Sequence, residues 1–502
     1  MDFSKQSIYD VFKHFSKTQG DAPAFYSANR EITYAKFVEH VDQLAAGFLD
    51  RGIGKGDRIC ILAKNSIEFV EILIAAAKIG AISYPINWRL SPGEIAATLA
   101  LAGPKMLFID VGLSSVTEAI ETDEISSVIL LGDNGEGGVG EFTDLYAGVK
   151  DVIFGEVGDD DPFIIISTAA VGGAARGAVL SHHNFTTTGS QVIESFNMTA
   201  NDRFLAVLPF FHIAGLNILI AAAQVGAASV IMDTFDPAAG TQMIDAQKIT
   251  LMGTFPPMLE MLLDSREKLG SKWDSLKYCF GILNPPEVVM RFLSDTRAEY
   301  WTGYGQTETS GMVTFMNVTE KLGSAGKVVP GLEMRLVDDL GDEVPVGVPG
   351  EIAVRGPLVF SGYWRDDDAT EFAARFGWHH TGDVGKLDDE GYLYYIGRKP
   401  EKELIKSGGE NIYPAEVEHA IREMPEVVDV CVIGVPDEKW GEAVKAVIEL
   451  AAGETLSTEQ VSAAVVKKIA SYKKPHQVVF VDSLPRNENG EVDRADVKIK
   501  FG

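Results

Sequence analysis

Three cysteines in 502 residues leave this chain without a disulfide framework or a thiolate metal centre. Cys60, Cys279 and Cys431 lie far apart in apolar stretches, which predicts buried thiols in a reducing compartment. Long hydrophobic runs are missing as well. No stretch reaches the roughly 18 apolar residues of a membrane span, and residues 1–15 mix charges with apolar side chains where a signal peptide would carry an apolar core. Both absences predict a cytoplasmic protein with no integral membrane association. Positive charge is scarce: 44 Lys and Arg against 72 Asp and Glu give a formal net charge of −28. A surface of that sign repels a phosphate backbone, so nucleic acid is excluded as a partner and any anionic ligand has to be met by local devices.

What is present is an ordinary globular composition, 46% apolar, in a chain too long for one core. Helical spacing over residues 33–52 is followed by a short apolar strand at 58–63 and a second helix, for which Asn65 with Glu68 reads as the N-cap. Strand-like runs recur at 81–84, 105–110, 127–131, 203–208, 228–232 and 249–255, the rhythm of layered α/β sheets. After about Gly323 short strands separated by Gly, Pro and Asp turns predict a compact β-rich subdomain over 323–397. A new unit then begins, with a helix at 414–422, a strand at 427–435 and a helix at 458–471. The expected organisation is an α/β N-terminal domain, 1–397, joined at Gly397-Arg398-Lys399-Pro400 to a small, mobile C-terminal α+β domain, 398–502.

Within the first domain an apolar strand breaks into small residues. Ser167, Thr168, Gly172, Gly173, Arg176 and Gly177 supply hydroxyls, bare backbone and a cation, the needs of a loop that wraps a polyphosphate. The run does not match the Walker pattern, and Ala169-Ala170-Val171 sits where more hydroxyls and glycines are expected.

Further motifs follow in a fixed order: Pro209-Phe210-Phe211-His212-Ile213-Ala214-Gly215, Gly303-Tyr304-Gly305-Gln306-Thr307-Glu308, Tyr363-Trp364, Thr381-Gly382-Asp383, Gly397-Arg398, Ser407-Gly408-Gly409-Glu410-Asn411-Ile412-Tyr413-Pro414 and Leu484-Pro485-Arg486. Over nearly its whole length the chain resembles the adenylate-forming superfamily, and within it the acyl-CoA synthetases, to which SGGENIYPAEVE and GVPDEKWGE are most similar. The resemblance implies a two-step reaction. A carboxylic acid reacts with ATP to an acyl-adenylate and pyrophosphate, and coenzyme A then displaces AMP.

It also implies roles. Ser167, Thr168 and Arg176 would grip ATP; Tyr304, Gly305, Gln306 and Thr307 would meet adenine and the α-phosphate; Glu308 with Thr168 would hold Mg²⁺, a hard cation suited to oxygen ligands. Asp383 and Arg398 would anchor the ribose, and Gly281, Ile282 and Leu283 would form the other wall of the adenine slot and the pocket floor. His212, Gly311 and Met312 would line the acyl pocket, with His212 as its gate. Ser407, Gly408 and Gly409 would give pantetheine a bare wall, while Trp440 and Lys473 would touch the nucleotide end of coenzyme A.

Three departures stand out. An arginine, Arg176, replaces the loop's usual lysine, and Phe280-Gly281-Ile282 occupies the place of a Gly-Gly-Ala wall. Most consequentially, Glu491 stands where the family has the lysine that bridges carboxylate and α-phosphate. Losing one such donor costs about 2.7–4 kcal/mol, and a carboxylate in its place adds repulsion of roughly 4 kcal/mol at about 4 Å. Three readings are therefore carried forward: a working ligase in which Arg494, Lys498 or Lys406 takes over, an enzyme favouring the thioester half-reaction, and a ligand-binding relative. An adenylation enzyme loading a carrier protein is a fourth. The acid's tail reads as apolar from Ile282, Leu283, His212 and Met312, and a homodimer is left open.

Overall fold

Helices Ile67–Ile79 and Ile213–Gln224 carry almost no polar face, and a helix apolar all round is stable only when covered on every side. Both are covered in the computed structural model, which describes residues 3–28, 30–120, 125–132, 140–146, 152–169, 175–282, 284–399, 404–408, 410–437, 439–487 and 490–502. Phe69, Ile72, Leu73, Leu216, Leu219 and Ile220 lie in one core fed by two sheets.

The first of those sheets has seven strands. Its parallel run, in spatial order, is Pro162–Ala169, Ile82–Pro85, Arg58–Leu62, Met106–Asp110 and Ser127–Leu131, with Ala175–Ser181 antiparallel to Pro162–Ala169. The second, of nine strands, has a parallel centre of Glu299–Gln306, Tyr278–Gly281, Leu251–Thr254, Arg203–Ala206, Ala228–Ile231 and Pro23–Tyr26. Layered α/β sheets are thus the frame of the N-terminal domain. A four-stranded antiparallel sheet follows: Glu333–Val337, Gly350–Arg355, His379–Leu387 and Leu393–Arg398. The C-terminal α+β domain is built on the hairpin Val427–Asp437 and Gly441–Leu450, onto which helices Pro414–Arg422 and Thr458–Val466 pack.

One local expectation changes. Ser66, not Asn65, caps the second helix, its hydroxyl accepting from Phe69 N at 3.0 Å. Asn65 is instead buried and holds the segment before His212 by both ends of its amide, donating to Leu208 O and accepting from Phe210 N, each at 2.9 Å. A two-sided backbone clamp uses all that an amide offers, whereas the serine hydroxyl needs only one amide to cap. The strands on either side of the small-residue loop, Pro162–Ala169 and Ala175–Ser181, pair antiparallel. Of its residues Gly172 and Gly173 lie outside the described residues, as do Leu283, Pro400 and Gly409.

The C-terminal domain meets the N-terminal one through carboxylates. Glu94, which closes the capping box of helix Pro92–Ala102, accepts from Ala470 N at 2.9 Å and from Lys473 Nζ at 2.5 Å. Lys473 also binds Glu416 and is buried. Glu410 reaches the other way, to Arg89, to Asn87 Nδ2 at 3.3 Å and to His212 Nε2 at 3.5 Å. Burial alone would push the Glu410 carboxyl up, but His212 and Arg89 hold it down at about 2.

Removing the cation from the first cluster leaves two partly buried carboxylates face to face. Lys473→Met is expected to weaken docking by up to about 3–5 kcal/mol, seen as faster hydrogen exchange at Ala470 N; unchanged protection there would show that docking does not depend on this lysine. The second contact titrates. A depressed carboxyl contributes stability above its unfolded pKa that is lost as pH falls through the folded one, so the Glu410 contribution is complete above about 4.5 and gone near 2. Urea midpoints measured down that range should fall less in Glu410→Gln than in the wild type, and parallel profiles would contradict the assignment.

Candidate active site

Carboxyl ends of parallel strands are where open α/β sheets bind ligands, and here they converge on a cavity of about 390 Å³. Thr168 stands near the end of Pro162–Ala169, opposite Arg176 in the register of the next strand. Strand Glu299–Gln306 runs into a short turn, Thr307–Thr309, which sets Gly305, Gln306, Thr307 and Glu308 along one wall. Tyr363 OH donates to Glu308 Oε1 at 2.9 Å, and the Arg176 guanidinium lies 5.4 Å from the Tyr363 ring while its Nε pairs with Asp366 Oδ2 at 2.8 Å. Thr168 Oγ1 is buried with no hydrogen-bond partner among the described residues. Such a hydroxyl is costly unless a ligand completes it.

A second cavity, of about 350 Å³, is bounded by Gly281, Ile282, Tyr304, Gly305, Tyr395 and Lys406; Ile282, Gly305 and Lys406 line the first as well. The expected adenine wall and Tyr304 therefore do face one space. Tyr304 is stacked on Tyr395 at 6.0 Å, and its hydroxyl donates to Asp383 Oδ2 at 2.7 Å. Arg398 Nε pairs with Asp383 Oδ1 at 2.8 Å, an attraction that raises the guanidinium further above its ordinary range despite its burial. Behind this pair sits a carboxylate the sequence did not reveal. Glu351 accepts from Gly382 N at 2.9 Å and Arg375 Nη2 at 2.8 Å, and meets His380 Nδ1 at 3.1 Å and Lys399 Nζ at 3.0 Å, which outweigh its burial and hold it at about 2. Nothing in sequence spacing links residue 351 to the Thr381–Asp383 turn.

From the C-terminal domain come Lys406, Asn411, Tyr413 and Arg494, which also line the first cavity, together with Arg398. Burial, then the neighbouring Arg398, holds the Lys406 ammonium below its ordinary pKa. The adjoining Ser407 is buried, and Gly408 has φ +58 with a Cβ position 2.8 Å from the Trp440 ring, so a side chain there would be both strained and obstructed. Trp440 packs on this turn, its carbonyl accepting from Gly408 N at 2.9 Å, and lines neither cavity. Lys473 lies in the interdomain cluster. Glu491 is on an exposed turn tied to Asn487, its Oε2 accepting from Nδ2 at 3.2 Å. Ser167 lies one residue back from the cavity wall, 3.0 Å from Tyr84 OH.

Of the residues expected at the acyl pocket, His212, Gly311 and Met312 line the first cavity. Their neighbours were missed: Thr188, Gln191 and Ser195 from helix His182–Phe196, and Asn217 from Ile213–Gln224. The three on the first helix recur every three or four residues, a polar stripe whose signal is visible once the helix is known to be buried.

The AMP-binding enzyme family matches residues 12–364, and the AMP-binding enzyme C-terminal domain matches 416–491. An indoleacetate–CoA ligase of Aromatoleum aromaticum is 35% identical across 93% of both chains, and a feruloyl-CoA synthase of an Amycolatopsis species is 33% identical across 96% of both. Among solved structures, o-succinylbenzoate CoA synthetase of Bacillus subtilis, 26% identical, superposes with TM-score 0.86 as a double mutant bound to the product analogue OSB-NCoA, covering 99% of both chains. The same enzyme with its acyl-adenylate intermediate gives 0.70 over 98% of both. The chain is a member of the AMP-binding, adenylate-forming family, with acyl-CoA ligases among its relatives.

Proposed function

We propose that this protein is an AMP-forming acid–CoA ligase, and the observation that carries the reading is the convergence of Thr168, Glu308, Arg398 and Lys406 on one cavity. In the first step a carboxylate oxygen bonds to the α-phosphorus of ATP and pyrophosphate leaves. In the second, the thiol sulfur of coenzyme A bonds to the acyl carbon, the bond from that carbon to the phosphate oxygen breaks, AMP leaves and the thiol proton passes to solvent. Asp383 and Arg398 would receive the ribose, and the Tyr304–Gly281 slot the adenine. Glu308 and Thr168 fit Mg²⁺, which binds through one or two carboxylates plus substrate phosphates and waters: Tyr363 takes only one Glu308 oxygen, and the Thr168 hydroxyl lacks a partner among the described residues. That ion would neutralise phosphate charge as pyrophosphate departs. The chain's own part is to orient the α-phosphate with Thr168 and Thr307 and to surround it with Arg398 and Lys406. We place the domain boundary at 397/398, with 323–397 as the β-rich subdomain.

A second reading concerns balance between the half-reactions. Ser407 and Gly408 adjoin Lys406 at the cavity while Glu491 is on an exposed turn, and the likeness to the product-analogue complex exceeds that to the acyl-adenylate complex. These favour the thioester step as the one this domain arrangement serves.

A coupled AMP-release screen over alkyl, alicyclic and aromatic acids, with and without coenzyme A, tests the reading; AMP release that no acid elicits would refute it. Glu308→Gln should lower pyrophosphate exchange on the order of 100-fold or more, and an effect under about threefold would remove Glu308 from the site. If the cavity's own cations suffice, Glu491→Lys leaves exchange within about threefold of wild type. A rise on the order of 100-fold would show that the missing lysine limits adenylation.

A further inference from the structure

We propose that the acyl pocket selects a compact, ring-bearing carboxylic acid carrying a hydroxyl or N–H, and that Asn217 is the residue that recognises this donor; the proposal rests on the acid–CoA ligase reading above. Helix Ile213–Gln224, IAGLNILIAAAQ, holds two polar side chains, Asn217 and Gln224, and only Asn217 lines the cavity. It is 5% exposed. Its Nδ2 donates to Ser310 O at 2.7 Å, and Thr188 Oγ1 donates to the same carbonyl at 3.1 Å. Turning the amide over would set Oδ1 against that carbonyl, acceptor against acceptor, so the orientation is fixed. Asn217 Oδ1 is then left buried with no hydrogen-bond partner among the described residues. An acceptor kept dry and unpaired in the free protein gains most from a ligand that brings a donor.

The surrounding walls specify the rest of the ligand. Phe196, Phe255, Phe280 and Phe315 line the cavity, and aromatic walls favour a ring packed edge-on or offset against them. Phe196 is backed by Tyr278 at 5.0 Å and by Trp301 at 5.5 Å, and Trp301 lies 5.1 Å from Phe315. Walls braced in this way do not swing aside for a long alkyl chain. The same 390 Å³ also contains the Thr168–Glu308 end, so the acyl share is small. An aliphatic tail would fill such a pocket but leave Oδ1 unpaired.

The test compares matched aryl acids that differ only in a donor, such as 4-hydroxyphenylacetate against phenylacetate and indole-3-acetate against 1-methylindole-3-acetate. Binding by calorimetry is read alongside AMP release. Donor-bearing acids should be preferred by about 10- to 100-fold. In Asn217→Leu, and in Asn217→Ser as the smaller alternative, that ratio should fall towards one; in Thr188→Val, which cuts the same carbonyl tie and leaves the acceptor, it should persist. Because each ratio is taken within one protein, partial loss of folding cancels. A wild-type ratio near one, a ratio unchanged in both Asn217 variants, or preference for long-chain acids overturns the proposal. Donor-selective binding without AMP release would uphold Asn217 while refuting the ligase reading on which the substrate's fate depends.

Discussion

The ion pair between Asp383 and Arg398 ties the Tyr304 side of the second cavity to the last strand of the four-stranded sheet. Arg398 is the last residue of the strand that ends the N-terminal four-stranded sheet, and Asp383 lies directly opposite it in register. Both are largely withdrawn from water, where an unmatched charge would be untenable, so each requires the other until a ligand intervenes. Tyr304 adds its hydroxyl to Asp383, and Glu351 ties Lys399 and Gly382 just behind. Anything that engages Asp383 must therefore be felt at Arg398, where the four-stranded sheet ends.

That coupling also bears on how a chain of net charge −28 would hold a polyphosphate under the proposed function. The cations are not spread over the surface but drawn from both domains into one space: Arg176 and Arg398 by way of the N-terminal sheets, Lys406 and Arg494 by way of the C-terminal domain. Arg176 and Arg494 are paired with carboxylates, Asp366 and Glu418. Lys406 differs. Burial, then the like charge of Arg398, lowers its pKa against the pull of Asp383 and Glu442, so an arriving phosphate would offset a repulsion.

Much of the fold was legible because its signals are local: strand spacing, an apolar helix that must be buried, glycines where backbones meet. The YGQTE, TGD and SGGENIYP elements were legible as motifs, and the two adjoining cavities between them are lined by Tyr304 to Glu308, Arg398 and the neighbour of Ser407. What sequence did not yield depends on contacts between distant segments. Asn65 looks like a helix cap from its neighbours, yet acts on residues 208 and 210. The resemblance puts Lys473 at the nucleotide end of coenzyme A, yet here it is enclosed by Glu94 and Glu416. Asn217 is one polar letter in an apolar helix, and only the packing of Ser310 against it shows which end of its amide is left over.

The same distinction bears on Glu491. Read along the chain, it reverses the charge of a residue expected at the α-phosphate, with a cost of several kcal/mol. In the folded protein that cost applies only to an arrangement that brings the 486–492 turn to the cavity. Here Arg486 pairs with Asp429 and Glu449 within the C-terminal domain, Glu491 is exposed, and the cations of that domain that line the first cavity are Lys406 and Arg494. A carboxylate on an exposed turn is screened by water and salt, so it exerts little force on the cavity from there. With Arg486 paired in this way, Glu491 would act on the cavity only from a different position of residues 486–492.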